Sequence, residues 1–359
     1  MSNKISIIIP IYNTPINMLE RCFTSIEEQN YDNWEVIIVD SSSDKEIELF
    51  LKDYVREKIK YFLYKVEHRS ISYSRNFGLT KVTGEYVCFC DADDSVLASF
   101  FESSISLFNS NGDLDLIIGR VLTDKPVQYA TKSELFFDKE NKLLLLKYLL
   151  AGKTTDLNSF LDGLLLGRVY AKMVKASILR EIKFEEDVLV HEDNIFMFDV
   201  LNRAQNILVV PQDWYHYYTN PFSITNEGIV DEIKRKNRAS SEIKFLGCIY
   251  NRIKNNNFSR EDLLDSFSLR IVDTIINYIG IFGIKNIGLF GVSNIALLVR
   301  KEYYNLIKEA NFRKFKNLNK EELRYIRAVQ LSMGYYSAKF NIKLVAISTK
   351  VIRRIKSLR

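Results

Sequence analysis

The chain has 359 residues, 47% of them hydrophobic and 26% charged. That length predicts two or three domains with a sizeable core, and that composition is ordinary for a globular protein, which excludes global disorder. A formal net charge of +5 is too small to argue for nucleic acid as a partner.

The first half alternates strand and helix patterns. KISIIIPIYN reads as a buried strand ended by Pro10, and INMLERCFTSIEEQ as a helix with an apolar stripe. WEVIIVD is a second buried strand ending at Asp40, EIELFLKDYVRE a helix, and KIKYFLYKV a third strand. SISYSRNFGLTKVTG reads as a helix closed by Gly84, and EYVCFC as a fourth strand that stops on Asp91, Asp93 and Asp94. Apolar runs with helices between them predict a mainly parallel sheet covered on both faces. Ligands of such sheets bind beyond the carboxyl ends of the strands. Tyr12 and Asn13, then Asp40, then Asp91 and Asp93 arrive there from three separate strands. Acids at a strand end are ordinary turn formers. Convergence of three strand ends favours a site instead.

Neither G-x-G-x-x-G nor G-x-x-x-x-G-K-[ST] follows the first strands, which removes most support for a dinucleotide dehydrogenase or a P-loop NTPase. Further on, SFFESSISLFNSN is helical, DLDLIIGRV a strand and NKLLLLKYLLAG a leucine-rich helix. Glu192 and Asp193 open a helix with apolar Ile195, Phe196, Phe198, Val200 and Leu201, and DWYHYYTNPFSIT reads as strand, then loop. After about residue 230, amphipathic helical patterns with Lys and Arg dominate. The expected organisation is residues 1–125, 126–229 and a helical C-terminal domain, 230–359.

The four cysteines, Cys22, Cys88, Cys90 and Cys248, lack paired metal spacing and read as reduced thiols of a cytoplasmic protein. MSNKISIIIP enters a strand pattern at once, with no signal-peptide pattern. The apolar stretch 275–299 carries Lys285, three Asn and four Gly, and reads as a buried helix pair rather than a bilayer span. Residues 343–359 hold six basic residues and no acid, with Leu344, Ile347, Val351, Ile355 and Leu358 on one helical face. That pattern suits peripheral contact with a membrane surface, or packing on its own domain or in a homo-oligomer.

SIIIPIYN, VIIVDSSSD, SYSRNFGLTKVTGEYVCFCDADD and HEDNIFMFDVL resemble, in order and spacing, the bacterial family 2 inverting glycosyltransferases, over roughly residues 4 to 225. The resemblance implies a GT-A fold and transfer of a sugar from a nucleotide-diphosphate donor to a hydroxyl of a glycan or lipid-linked acceptor. It places Pro10, Tyr12 and Asn13 at the nucleotide, Asp40 on the base, Arg75 at the diphosphate and Asp91 and Ala92 near the ribose. It puts Mn²⁺ or Mg²⁺ on Asp93, the general base on Asp193 and a supporting role on Glu192. The chain departs from the family at Ser41, Ser42 and Ser43, at Ser74 and at Ser70, which leaves the nucleotide open. The resemblance also implies surface-polysaccharide synthesis in the cytoplasm or at the inner face of the membrane. Two other readings stand beside it: a non-catalytic sugar-nucleotide-binding or scaffold relative, and a nucleotidyltransferase, which would call for a glycine-rich loop after the first strand.

Overall fold

The structure, a computed structural model, describes residues 3–124, 132–151, 164–220, 232–255, 263–271, 274, 306 and 310. The apolar stretch 275–299 and the basic stretch 343–359 lie outside the described residues. Contacts divide the chain into two units, Met1–Leu143 with Ser159–Ser223, and Leu144–Asn158 with Ile224–Arg359.

The first unit is built on a sheet. Strands β1 (Ile5–Ile11) and β2 (Trp34–Asp40) are buried at every position. They pair in parallel, β3 (Tyr61–Lys65) extends the sheet beyond β2, and β4 (Tyr86–Phe89) lies parallel on the other side of β1. Helices α1 (Ile16–Glu27), α2 (Lys45–Val55) and α3 (Ile71–Leu79) connect them. Helix α1 buries Leu19, Cys22, Phe23 and Ile26, the i, i+3, i+4, i+7 stripe of an amphipathic helix. Ser70 accepts a hydrogen bond from Tyr73 N and so caps α3, while Asp44 caps α2. One face of β1 contributes Ile5, Ile7, Ile9 and Ile11 to a core shared with α1 and with helix α4 (Phe100–Ser110). The opposite face packs on α3, which explains why the strands read as unbroken apolar runs.

Two local expectations need correction. Pro10 does not end β1, which runs on to Ile11. Cys90 N donates to Ile8 O, so the missing N–H of Pro10 falls on the β4 side and stops that ladder where residues 91–94 turn away. Gly84 does not close α3, which ends at Leu79. It lies against β1 instead, where an added Cβ would stand 2.6 Å from Lys4 O and 2.8 Å from Ser6 N.

Beyond β4 the sheet is mixed. Strand β5 (Ser95–Val96) follows the acidic turn, β6 (Leu116–Thr123) and β7 (Leu135–Phe137) come next, and β8 (Lys172–Lys175) runs antiparallel between β4 and β6. A one-turn helix α6 (Ala176–Leu179) follows β8, and α7 (Glu192–Arg203) precedes β9 (Ile207–Tyr217). Strand β9 pairs with β6 in parallel and with β5 and β7 antiparallel. Among the described residues the order is β3-β2-β1-β4-β8-β6-β9-β5. This order sets the last turn of β9 beside the acidic turn after β4.

In the second unit, α5 (Leu143–Ala151) and α8 (Glu232–Lys254) are helical, as are residues 263–271. Phe245, Leu246, Ile249 and Ile253 form the buried face of α8, and Tyr250 stacks on Phe267 at 5.9 Å. Among the described residues no helix is long and apolar enough to cross a membrane. The free cysteines are Cys22, Cys88 and Cys90, all buried, and Cys248.

Candidate active site

The carboxyl ends of β1 and β2 are tied together by short polar side chains. Tyr12 leaves the end of β1 with 44% of its surface exposed and stacks on His68 at 3.6 Å and 14°. Asn13 has a left-handed backbone, φ 50°, which asparagine tolerates. Its Oδ1 accepts from Ser43 N and Asp44 N, its Nδ2 donates to Ser43 Oγ, and its N donates to Ser42 Oγ. Ser41 Oγ donates to Ile11 O. The three serines that depart from the family pattern thus join the two loops. Asp40 is buried; Ser42 N donates to its Oδ1 and Lys65 Nζ to its Oδ2, each at 2.8 Å.

The three acids after β4 do different things. Asp91 accepts from Arg75 Nη2 at 2.9 Å. Burial raises its proton affinity, Arg75 opposes that, and the charge of Asp93 adds to it. Ala92 is buried. Asn220 Nδ2 donates to Asp93 Oδ2 at 2.8 Å, and Arg21 donates to the Asp93 carbonyl while its guanidinium lies 3.7 Å over the Tyr218 ring. Asp94 turns inward, where Tyr215 OH donates to its Oδ2 at 2.7 Å and Tyr218 N to its Oδ1 at 2.9 Å. Burial, with the nearby charge of Asp91, pushes the Asp94 carboxyl up to about 8. Two acids face the site; the third anchors the end of β9.

Helix α7 brings the remaining acids. His191, just before it, is left-handed at φ 66° and makes no side-chain cap. Glu192 and Asp193 are both buried in the first turn. The helix N-terminus favours negative charge there. Arg75, only 2% exposed, donates through Nη1 to Glu192 Oε1 at 3.2 Å, so one guanidinium spans Asp91 and Glu192. Arg168 Nη1 reaches Asp193 Oδ2 at 3.3 Å. Burial, the charge of Asp193 and a hydrogen bond to it hold Glu192 well above the usual carboxylate range. Burial also acts to raise Asp193, but Arg75, the hydrogen bond from Glu192 and Arg168 outweigh it and keep Asp193 low. The surroundings thus push the two carboxyls apart, Glu192 upward and Asp193 downward.

No three His, Cys, Asp or Glu side chains among the described residues form a ready-made metal cage. The chemistry of Asp93 nevertheless fits a hard divalent ion. It is a partly exposed carboxylate whose named side-chain partner is a neutral amide. Mg²⁺ commonly takes only one or two protein carboxylates and completes its shell with phosphate oxygens and water.

Sequence reasoning missed Arg168, Asn220, Arg21 and Lys65, all of which contact a predicted site residue. The sequence assigns none of them a role, and each partner is at least 25 positions away.

Residues 6–170 match the family model described as glycosyl transferase family 2. The minor teichoic acid biosynthesis protein GgaB of Bacillus subtilis (strain 168) is 24% identical over 215 residues, 59% of this chain and 22% of that protein. Glycosyltransferase GlyA of Streptococcus pneumoniae serotype 4 is 34% identical over 104 residues, 29% of this chain and 15% of that one. The chain spans less than a quarter of the length of these two relatives. Among solved structures, S. aureus TarS 1–349 in complex with UDP-GlcNAc superimposes with a TM-score of 0.68 at 16% identity, over 98% of this chain and 92% of that one. The acidic turn, the parallel half-sheet behind it and these matches agree: residues 6–170 are similar to the family 2 glycosyltransferases, and the fold is of the GT-A type.

Proposed function

We propose that the chain is an inverting glycosyltransferase. It moves a sugar from a nucleotide-diphosphate donor, a UDP-sugar, to a hydroxyl of a glycan or lipid-linked acceptor in bacterial surface-polysaccharide synthesis. The observation that carries this reading is the single guanidinium of Arg75, which ties Asp91 at the strand ends to the Glu192–Asp193 pair. Two chemically distinct acid sites, one suited to a cation and one to a proton, thus meet at one guanidinium. The complexes of TarS with UDP and with UDP-GlcNAc support the donor class. GgaB is named for minor teichoic acid biosynthesis, and a Campylobacter jejuni relative, 27% identical over 124 residues, is named a beta-1,3-glucosyltransferase acting on a PP-undecaprenol-linked glycan. Both names support a surface-glycan acceptor.

In this reading Tyr12, Pro10 and Asn13 border the nucleotide, and Asp40 accepts from the base with a lone pair left over from its Lys65 and Ser42 bonds. Asp91 and Ala92 border the ribose. Mn²⁺ or Mg²⁺ on Asp93 supplies charge neutralisation of the leaving diphosphate. Asp193 takes the proton of the acceptor hydroxyl as that oxygen attacks the anomeric carbon opposite the leaving group. Glu192, beside it in the first turn of α7 and tied to Arg75, supports that role. The metal role is checked by titrating UDP-GlcNAc into the protein with Mn²⁺ and then in EDTA. Chelation and Asp93→Ala should each weaken binding. Full-strength binding by Asp93→Ala in EDTA would remove the metal from the account.

Residues 1–125 form the donor half in this scheme, 126–229 the acceptor half and 230–359 a helical domain. The last stretch, 343–359, would bring the protein to the inner face of the membrane. If anionic vesicles pellet the full chain no better than a version ending at residue 342, that contact is refuted.

A further inference from the structure

We propose that Arg168 is a positioning residue that fixes the carboxylate of Asp193 for the incoming acceptor hydroxyl. The inference rests on the transferase reading above and extends it to a residue to which the sequence assigns no role.

Three features bring Arg168 to its place. Residues 164–168 fold back on themselves, with Leu166 N donating to Leu164 O at 2.8 Å and Arg168 N to Leu165 O at 2.9 Å. The buried amine of Lys172, on β8, donates to Leu165 O at 3.1 Å and Tyr170 O at 3.2 Å, clasping the turn from both sides of Arg168. Gly167 leaves the room that the Asn194 side chain fills; a Cβ there would collide with that amide, so the turn lies directly on the first turn of α7. A half-buried arginine on a loop would ordinarily have many rotamers. Here the backbone under it is held by an amine, by two turn bonds and by close contact with the helix that carries its partner.

The surroundings of Asp193 decide what Arg168 adds. Arg75 approaches from α3, Glu192 from the same helix turn, Arg168 and Tyr170 from the segment before β8, Lys172 from β8 and Asp91 from the end of β4. Arg75 is 2% exposed and its two terminal nitrogens are committed to Asp91 and Glu192. Burial lowers the Lys172 amine to about 7, and its hydrogen bonds go to carbonyls. The direct cationic contact to Asp193 is Arg168, through one oxygen, and the Arg168 side chain is 47% exposed. Arg168 thus pins Oδ2 from the solvent side and favours the ionised carboxylate.

The test compares wild type with Arg168→Gln and Arg168→Lys. UDP release from UDP-GlcNAc with acceptor is followed from about pH 3 to 9, with UDP affinity measured in parallel. An opposite charge at this range depresses a carboxylic acid by one unit or more. Arg168→Gln should therefore move the acid limb of kcat up by about one pH unit, lowering the rate up to about tenfold on the acid side of that limb and little at about pH 7, with UDP affinity unchanged. Arg168→Lys should restore the limb. A ¹³Cγ-aspartate NMR titration, with the Asp193 signal assigned by its loss in Asp193→Asn, reads the same shift without turnover. A wild type that turns over no donor defeats the transferase reading and leaves the NMR titration to judge Arg168. An unmoved acid limb and an unmoved Asp193 titration in Arg168→Gln, or an equal loss of UDP affinity, would overturn the positioning role.

Discussion

Replacing Arg75 by methionine is expected to destabilise the protein by about 3–5 kcal/mol, the cost of removing one partner from a buried ion pair. Arg75 lies 2% exposed with Asp91 at 2.9 Å on one side and Glu192 at 3.2 Å on the other. Methionine fills much of the volume, so the loss reports charge rather than cavity. Glu192 can answer by remaining protonated, as its surroundings already favour. Asp91 loses the guanidinium that opposes both its burial and the charge of Asp93, so without Arg75 it must take up a proton or stay buried, charged and unpaired. The double variant Arg75→Met/Asp91→Asn should therefore recover part of the loss, as expected of residues in contact. Urea denaturation of the four proteins of this cycle gives the answer. A loss under about 1 kcal/mol in the single variant would mean that Arg75 does not tie the two sites together.

The parts that sequence made legible share a physical cause. Strands β1 and β2 lie between two helical layers, so every position is buried and the apolar run marks them directly. Helix α1 shows its stripe because only one side of it meets the core. Strand β8 is four residues long, with lysine at both ends, and its antiparallel direction comes from β4 and β6 rather than from anything local. The site divides in the same way. Asp91 and Asp93 could be placed because they follow a strand whose end had to lie at the site. Asp94, next to Asp93, could not be set apart. Its inward turn is fixed by Tyr215, 121 positions away. The serines at 41–43 read as departures, because their hydroxyl bonds to Ile11 and Asn13 cross from one strand end to another. Arg168 could be given no role from sequence, since that role depends on Lys172 and on the first turn of α7.

Changing Asp193 to asparagine should lower turnover ~10²–10⁴-fold, the usual worth of a general base. Asparagine keeps the shape and removes the basicity. UDP affinity should change little, because the partners of Asp193 are Arg168, Arg75 and Glu192 rather than Tyr12, Asp40 or Asp93. Glu192→Gln should be milder, since burial and the charge of Asp193 already favour the uncharged form of Glu192 and an amide can still donate. The direct test sets the rate of UDP release from UDP-GlcNAc, with Mn²⁺ and an acceptor, beside UDP affinity for wild type and Asp193→Asn. The account predicts metal-dependent release by wild type and a collapsed rate with intact UDP binding in the variant. No metal-dependent release of nucleotide diphosphate from this or any other nucleotide-sugar donor, or full activity in Asp193→Asn, would contradict it.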